Sequence, residues 1–332
     1  MNDTTITLGH GSGGRQSADL VSRLLESFRK RGIGPELEDA ALLPGGYAMT
    51  MDGFTVSPRR FPGGDIGHLC VCGCANDLAV RGASPDFLGL SLVLEEGISP
   101  EEVAFYMESA ASTCAGIGMT LAAGDTKVVP AGAVEGLLIT GCAFGRIRSR
   151  RTLSMAEIRE GDALLVTTSI GRHGAAIAST RFSLPVEGLL SDCAPLWPAL
   201  SPLLRLDGLR CMRDCTRGGL GTVLCEWAEA SGLHFFLDED SIPVSFQVKS
   251  LCDVLGFDPL YMACEGCAAL AVAPSDAEEA LRILRQSPLC GDAALIGRVS
   301  SAEPKGMVSM RTSIGGERLV DMPWGEILPR IC

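Results

Sequence analysis

Four aspartates carry the first chemical signal in this chain. Asp39 in "LEDAALLP", Asp52 in "MTMDGFTVS", Asp77 in "GCANDLAVRG" and Asp125 in "AAGDTKVV" each stand among small and apolar neighbours, at an expected strand end or beside a helix. A carboxylate in such surroundings is costly unless it is paired or bound to a cation. Brought together, the four make a hard oxygen site of the kind that holds Mg2+ and bridges it to nucleotide phosphates. Lys127, two residues after Asp125, would then meet a phosphate oxygen. Taken singly, each Asp is better read as the cap of a helix or turn. The set gains weight from "GHGSGGR" (Gly9 to Arg15), where Gly11, Gly13 and Gly14 lead into a helix. Glycine permits close backbone approach, and N–H groups at a helix start attract phosphate. No Gly-Lys-Ser/Thr follows, so this is not a Walker motif.

The last residue poses a second question. Cys332 ends the chain in "GEILPRIC", where a residue is ordinarily frayed and free to reach outward. Its own α-carboxylate disfavours the thiolate, which Arg330 offsets only in part, so reactivity is expected to come from an outside enzyme. Pro329 stiffens the approach.

The elements that must position these residues fall into two halves. In the first, "SADLVSRLLESFRKRG" places Val21, Leu24, Leu25 and Phe28 on one helical face, with Gly32 just past the end. "DIGHLCVCGCANDLAVRG" reads as a helix and "YAMTMDGFTVS" as a strand. "ISPEEVAFYMESAASTCAGIG" carries a helix start, with Ser99 as N-cap, Pro100 at the first position and Glu102 completing a capping box. "GAVEGLLITGCAFGRI" closes the half as a strand near Arg146. After the charged junction "RSRRTLSMAEIREGD" the alternation restarts. "DALLVTTSI", "CAALAVAP" and "AALIGRV" are strands. "RGGLGTVLCEWAEASG", "VSFQVKSLCDVLG" and "DAEEALRILRQ" are helices. The expected fold class is α+β, two related domains without a residue-level repeat. The segments are an N-terminal glycine loop and helix (1–34), an N-terminal domain (35–148), a C-terminal domain (149–300) and a tail (301–332) with little core of its own.

Composition narrows the partners. The 332 residues suffice for two domains. A net charge of −12 argues against nucleic acid, since neutralising phosphates takes clustered Lys and Arg. No apolar run is long enough for a membrane helix and no signal peptide is evident, which points to the cytoplasm. There the 14 cysteines should be reduced thiols, mostly small packing residues. On a helix Cys70 and Cys74 share a face while Cys72 points away, so these three do not converge on a metal. "CEGC" (Cys264 to Cys267) is a single CxxC without the second pair that marks a zinc site.

Several segments together resemble one family. "GHGSGGR", "DGFTVSPRRFPGGDIG", "CANDLAVRGASP", "LEEGISPEEV", "AAGDTKVV", "RDCTRGGLGTVLCEWAEASG" and the terminal "PRIC" are similar, in order and over nearly the whole chain, to the HypE family of hydrogenase maturation proteins. That family lies within the aminoimidazole ribonucleotide synthetase-like superfamily. The resemblance implies homodimers whose N-terminal sheets pair, with ATP and Mg2+ at the domain interface. It implies a carbamoyltransferase partner, HypF, which loads the terminal thiol, here Cys332. ATP-dependent dehydration to a thiocyanate follows. The cyano group is delivered to iron on a HypC–HypD scaffold, for the nickel–iron hydrogenase centre. It further implies Asp39, Asp52, Asp77 and Asp125 as metal and phosphate carboxylates, Thr126 and Lys127 of "GDTK" as nucleotide contacts, and Glu265 of "ACEG" near the reacting tail. Glu265 or Asp77 is then the candidate base, with Glu265 favoured. The chain departs from the family's usual residues at His68 (lysine is frequent), Cys215 (proline is common) and Cys267 (a basic residue is usual). Two other readings stay open: a synthetase of the same superfamily acting on a small free substrate, of selenophosphate or aminoimidazole ribonucleotide type, and a cysteine-rich metal carrier.

Overall fold

The computed structural model describes residues 5–34 and 37–325. Cys332, Arg330 and Pro329 lie outside the described residues. The chain starts with α1 (Gly14–Arg29), in the place where its apolar stripe predicts a helix. Yet Val21, Leu24 and Phe28 remain exposed. The stripe is amphipathic as expected, but the described residues of this chain do not cover it.

The first domain continues through β1 (Ala41–Leu43), β2 (Tyr47–Phe54), the short hairpin β3 (Arg60–Phe61) and β4 (Gly64–Asp65), α2 (Ile66–Val80), β5 (Phe87–Glu95), α3 (Pro100–Ile117), β6 (Thr120–Val129) and β7 (Leu137–Arg146). Five strands form one sheet in the order β1-β2-β7-β5-β6. Only β5 and β6 run parallel, joined by the α3 crossover. The period-2 pattern of "YAMTMDGF" buries Ala48, Thr50 and Phe54 on the face that Asp52 shares, while Met49 and Met51 point outward.

Helix α2 is the pivot of the molecule. Asp65 caps it, accepting from the N–H groups of Gly67 (2.8 Å) and His68 (3.2 Å). Every residue of the helix except His68 is buried. Such a helix is apolar all round because it is covered all round: by the first sheet, by α3 and by the second domain. Close approach to α3 requires glycine at position 67, where a Cβ would come within 1.9 Å of the Tyr106 carbonyl oxygen. Helix α3 begins at Ser99 as predicted, with its hydroxyl accepting from Glu101 and Glu102. The predicted capping box is not completed. The Glu102 carboxylate turns instead to Arg59 (3.2 Å) and Tyr106 (2.8 Å), a charge-assisted alternative to one backbone N–H.

The second domain comprises β8 (Ala163–Val166), α4 (Arg172–Arg181), α5 (Trp197–Leu200), β9 (Leu209–Asp214), α6 (Gly219–Ser231), β10 (His234–Asp238), α7 (Phe246–Leu255), β11 (Ala268–Val272), α8 (Ala277–Leu284), β12 (Ala294–Ser300), β13 (Val308–Arg311) and β14 (Glu317–Val320). Seven strands lie in the order β14-β13-β10-β12-β8-β11-β9. The sequence places a tail with little core of its own from residue 301, and here the structure differs. Strands β13 and β14 extend the sheet, β13 pairing parallel with β10, and Val308, Met310 and Val320 are buried. These strands are short, four residues each, so their alternation is too brief to stand out from the polar turns around them. Among the described residues no helix is long and apolar enough to cross a membrane.

Candidate functional site

The bend before β1, strand β2 and helix α2 bring three of the four aspartates, Asp39, Asp52 and Asp77, to the domain junction. Oxygen atoms of Asp39, Asp77 and Asp214 lie within 4.8 Å of one another. The Thr50 hydroxyl stands 2.6 Å from Asp77 Oδ2 and 3.1 Å from the Asp39 carbonyl oxygen. A protonated Asp77 would donate to Thr50 Oγ1, leaving the hydroxyl hydrogen for that carbonyl, so one proton on each group satisfies both contacts. Arg213 holds Asp39 at 3.1 Å and pairs on its other side with Glu226. Behind them Arg81 and Glu38 form a buried ion pair at 3.0 Å.

The electrostatics of the cluster are those of crowded acids. Burial pushes Asp39 up to about 6, against the pull of Arg213. Asp77 is driven well above the usual carboxylate range by burial, then by Asp214, Asp52 and Asp39. Asp214 is raised in the same way, by burial and Asp39. Burial also raises Asp52, with Arg217 opposing. Asp39 Oδ2 and Asp214 Oδ2 are buried and have no hydrogen-bond partner among the described residues. An all-oxygen donor set with two orphaned carboxylate oxygens fits a hard divalent cation, which would replace the protons.

Beside this cluster a cleft opens between the domains. Asp52, Asp214, Arg217, His173 and Glu265 all line it. Glu265 is buried, and its carboxyl is pushed well above the ordinary range by burial first, then by Asp214 and Asp192. Its backbone is fixed from both sides. The N–H groups of Glu265 and Gly266 donate to Asp192 (3.2 and 3.1 Å), and Asn76 Nδ2 donates to the Glu265 carbonyl oxygen (3.1 Å). Asn76 also donates to the Ala194 carbonyl oxygen and accepts from the Leu196 N–H. One residue of α2 thus ties the second domain while its neighbour, Asp77, enters the acid cluster. His173, fully buried, is pushed down to about 3 by desolvation and stays neutral. Its Nδ1 meets Ser191 Oγ at 2.9 Å, and its Nε2 has no partner among the described residues.

The glycine loop sits at the lip of this cleft. A Cβ on Gly13 would lie 3.2 Å from the carbonyl oxygen of Arg217. Gly14 has φ +76°, and a Cβ there would come within 2.4 Å of the Pro323 carbonyl oxygen. That same oxygen accepts from the Arg15 N–H at 3.2 Å. Gly14 is therefore a seat for the chain's last described stretch, whereas a Cβ on Gly11 would meet open space. Tyr261 Oη donates to the Asp321 carbonyl oxygen at 2.8 Å, and Cys225 Sγ to that of Val320 at 3.2 Å, fixing the same segment against α6.

Asp125, Thr126 and Lys127 are elsewhere. They occupy the middle of edge strand β6, fully exposed, not an apolar strand end as the sequence suggests. Asp125 pairs with Lys127 at 2.9 Å. The register runs Asp52 to Gly141, to Leu90, to Gly124, so three strand spacings, about 14 Å, separate β2 from β6. A single chain does not bring this trio to the acid cluster. Conversely, the sequence reading passed over Asp214, Arg217, Asn76, His173 and Asp192. Asp214 ends strand β9, four residues before the glycines that lead into α6.

The cysteines that the sequence singles out lie in different places. Cys70 and Cys74 lie over Gly141 of β7. Cys72, as predicted, points the other way. Cys215, Cys264 and Cys267 are buried around Glu265, in the second domain's core.

Comparison with known proteins adds the following. Residues 37–147 match the N-terminal domain of AIR synthase related proteins and residues 159–308 the C-terminal domain. The chain is 39% identical to carbamoyl dehydratase HypE of Rhodobacter capsulatus, over 100% of this chain and 99% of that one. It is similar to the crystal structure of a HypE in complex with ATP, with a TM-score of 0.84 and 39% identity over 99% of this chain and 100% of that one. Against HypE in a HypE–HypF complex the TM-score is 0.87, with 36% identity over 93% of this chain and 100% of that one.

Proposed function

The chain belongs to the HypE family, and on that premise we propose that it dehydrates a carbamoyl group carried on Cys332 to a thiocyanate at the expense of ATP. HypF is the partner that loads the thiol. The product supplies cyanide ligands for the iron of a nickel–iron hydrogenase, through a HypC–HypD scaffold. The observation that most supports this reading is spatial. Glu265, Asp52, Asp214 and Arg217 line one cleft, and the segment leading to the terminal cysteine is seated on the glycine loop at its lip. From Pro323 nine further residues reach Cys332, up to about 30 Å of extended chain, enough to enter the cleft or to leave it for a partner.

The chemistry balances in two stages. The carbamoyl oxygen attacks the γ-phosphorus of ATP, and the bond from that phosphorus to the ADP oxygen breaks. The C–O bond then breaks, phosphate departs and both N–H protons are lost, leaving S–C≡N. An amide oxygen is a poor nucleophile, so positioning and charge neutralisation carry the first stage. Asp39, Asp52, Asp77 and Asp214 would hold Mg2+, which supplies neutralisation of the phosphate charge. Arg217 adds a cation on the cleft wall. Glu265, on the cleft wall, is the favoured group to receive an N–H proton once it is ionised, with Asp77 as the second candidate. We assign Asp125, Thr126 and Lys127 to a homodimer interface, from which a second copy presents them to the nucleotide. Strand β6 is an exposed edge bearing Leu121 and Val128, a feature that unpaired sheets ordinarily blunt.

Mass spectrometry tests the reaction. After HypF-dependent carbamoylation and addition of Mg–ATP, the C-terminal peptide is expected to lose the mass of one water. An unchanged mass, or a loss that survives Cys332→Ala, would overturn the assignment.

A further inference from the structure

A second set of ligand-bearing side chains lies outside the acid cluster, on the opposite face of α2. His68 and Cys72 stand four residues apart and so share a helix face. Cys193, 125 positions after His68, comes to them from the loop that follows α4 in the second domain. One ligand atom from each of the three lies within 4.8 Å of the other two. His68 Nε2 is 3.5 Å from Cys72 Sγ. A tetrahedral zinc ion with ordinary Zn–N and Zn–S bonds sets its nitrogen and sulfur ligands about 3.5 Å apart. The separation matches, while the same sulfur lies 3.8 Å from Nδ1, over the face of the ring, so the imidazole turns to aim Nε2 at an ion held by the sulfurs.

The imidazole is also oriented from behind. Thr113 Oγ1 donates its hydrogen to the Ser109 carbonyl oxygen at 2.8 Å. It is therefore free only to accept from His68 Nδ1, 2.7 Å away. Nδ1 thus carries a proton, held as the non-ligating nitrogen of metal-binding histidines ordinarily is, which leaves Nε2 as the nitrogen available to an ion. In the metal-free chain Nε2 donates to the Cys193 carbonyl oxygen at 3.0 Å, so the ring carries both protons, and a bound ion would displace the one on Nε2 together with that contact. Cys72 and Cys193 are buried, while His68 lines a cleft with Ser109, Thr113, Pro195 and Pro198. That cleft gives an ion access, and a water room to complete the coordination.

We propose that His68, Cys72 and Cys193 form a binding site for a borderline-soft divalent ion, Zn2+, which clasps the two domains across α2. The donor set is one nitrogen and two sulfurs, distinct from the all-oxygen cluster and selective for a different class of metal. The clasp closes one helical turn from Asn76 and Asp77, so an ion there stiffens the helix that positions the acid cluster.

Equilibrium dialysis of the full chain, reduced and metal-stripped, tests this with Zn2+ and with Co2+ as a spectroscopic substitute. One Zn2+ per chain is expected, undisplaced by excess Mg2+. Co2+ should give thiolate charge-transfer bands and the visible bands of a tetrahedral centre. His68→Gln, which keeps a half-buried polar side chain and so folds, and Cys72→Ser should each weaken binding roughly tenfold or more. Cys264→Ala and Cys332→Ala should leave it intact. Absence of stoichiometric Zn2+ in the parent chain, binding that persists in both His68→Gln and Cys72→Ser, or binding lost in Cys264→Ala or Cys332→Ala would overturn the site.

Discussion

At the residue scale, the acid cluster is a place where folding raises proton affinity, and this sets a pH dependence. A carboxyl raised in the folded chain holds a proton that the unfolded chain has already lost. Stability therefore falls as pH climbs from the unfolded value, 3.8 for Asp39, to the folded one, about 6, and stays reduced above it. For Asp77 and Asp214 the direction is the same and the window reaches higher. Asp77→Asn preserves the shape and the contact with Thr50 but removes the charge. It is expected to raise Tm at pH 8 by about 2–4 °C, to leave Tm near pH 4 unchanged, and to abolish ATP turnover. Calorimetry across that range checks it; a lower Tm at pH 8 would mean that the cluster is not under charge strain. Three of the four aspartates were legible as a set because a carboxylate among small apolar residues is expensive wherever it occurs. Asp214 was missed because "RDC" reads as an ordinary polar strand end. Only the fold reveals that it faces Asp39 and Asp77.

At the element scale, α2 and the glycine loop do the positioning. The sequence announced α2 as the helix of "DIGHLCVCGCANDLAVRG". It did not announce that one side of the helix would meet the second domain through Asn76, or that Cys72 would find Cys193. Such pairings depend on loop paths that no local pattern encodes. The glycine loop shows a different limit. Its glycines read as a phosphate cradle, yet Gly14 is required by the backbone of Pro323. Gly14→Ala places a Cβ at φ +76° and against that carbonyl oxygen. It is expected to free the C-terminal segment, increasing proteolysis after Val320, and to slow dehydration at least tenfold with the rest of the fold intact by circular dichroism. Unchanged proteolysis would show that the segment is held chiefly by Tyr261 and Cys225.

At the scale of the whole molecule, the exposed strand β6 and the distant Lys127 make a two-chain site testable by mixing. Lys127→Ala and Asp77→Asn should each be inactive alone. If each site takes Lys127 from the second copy, a mixed dimer contains one intact site, and random exchange restores about a quarter of the parent rate. If Lys127 and Asp77 of one chain serve the same site, mixing restores nothing. The sequence by itself determined the alternation of strands and helices, the two-domain α+β plan, and the residue types able to neutralise phosphate. These follow from periodicity, caps and the cost of burying charge, which are properties of short segments. Only the tertiary structure decided which acids meet, that Asp214 completes the cluster while Asp125 stands on an open edge, and that residues beyond 300 finish a sheet. Those outcomes depend on strand order and domain packing, where residues far apart in the chain supply each other's dielectric, partners and exclusion from water.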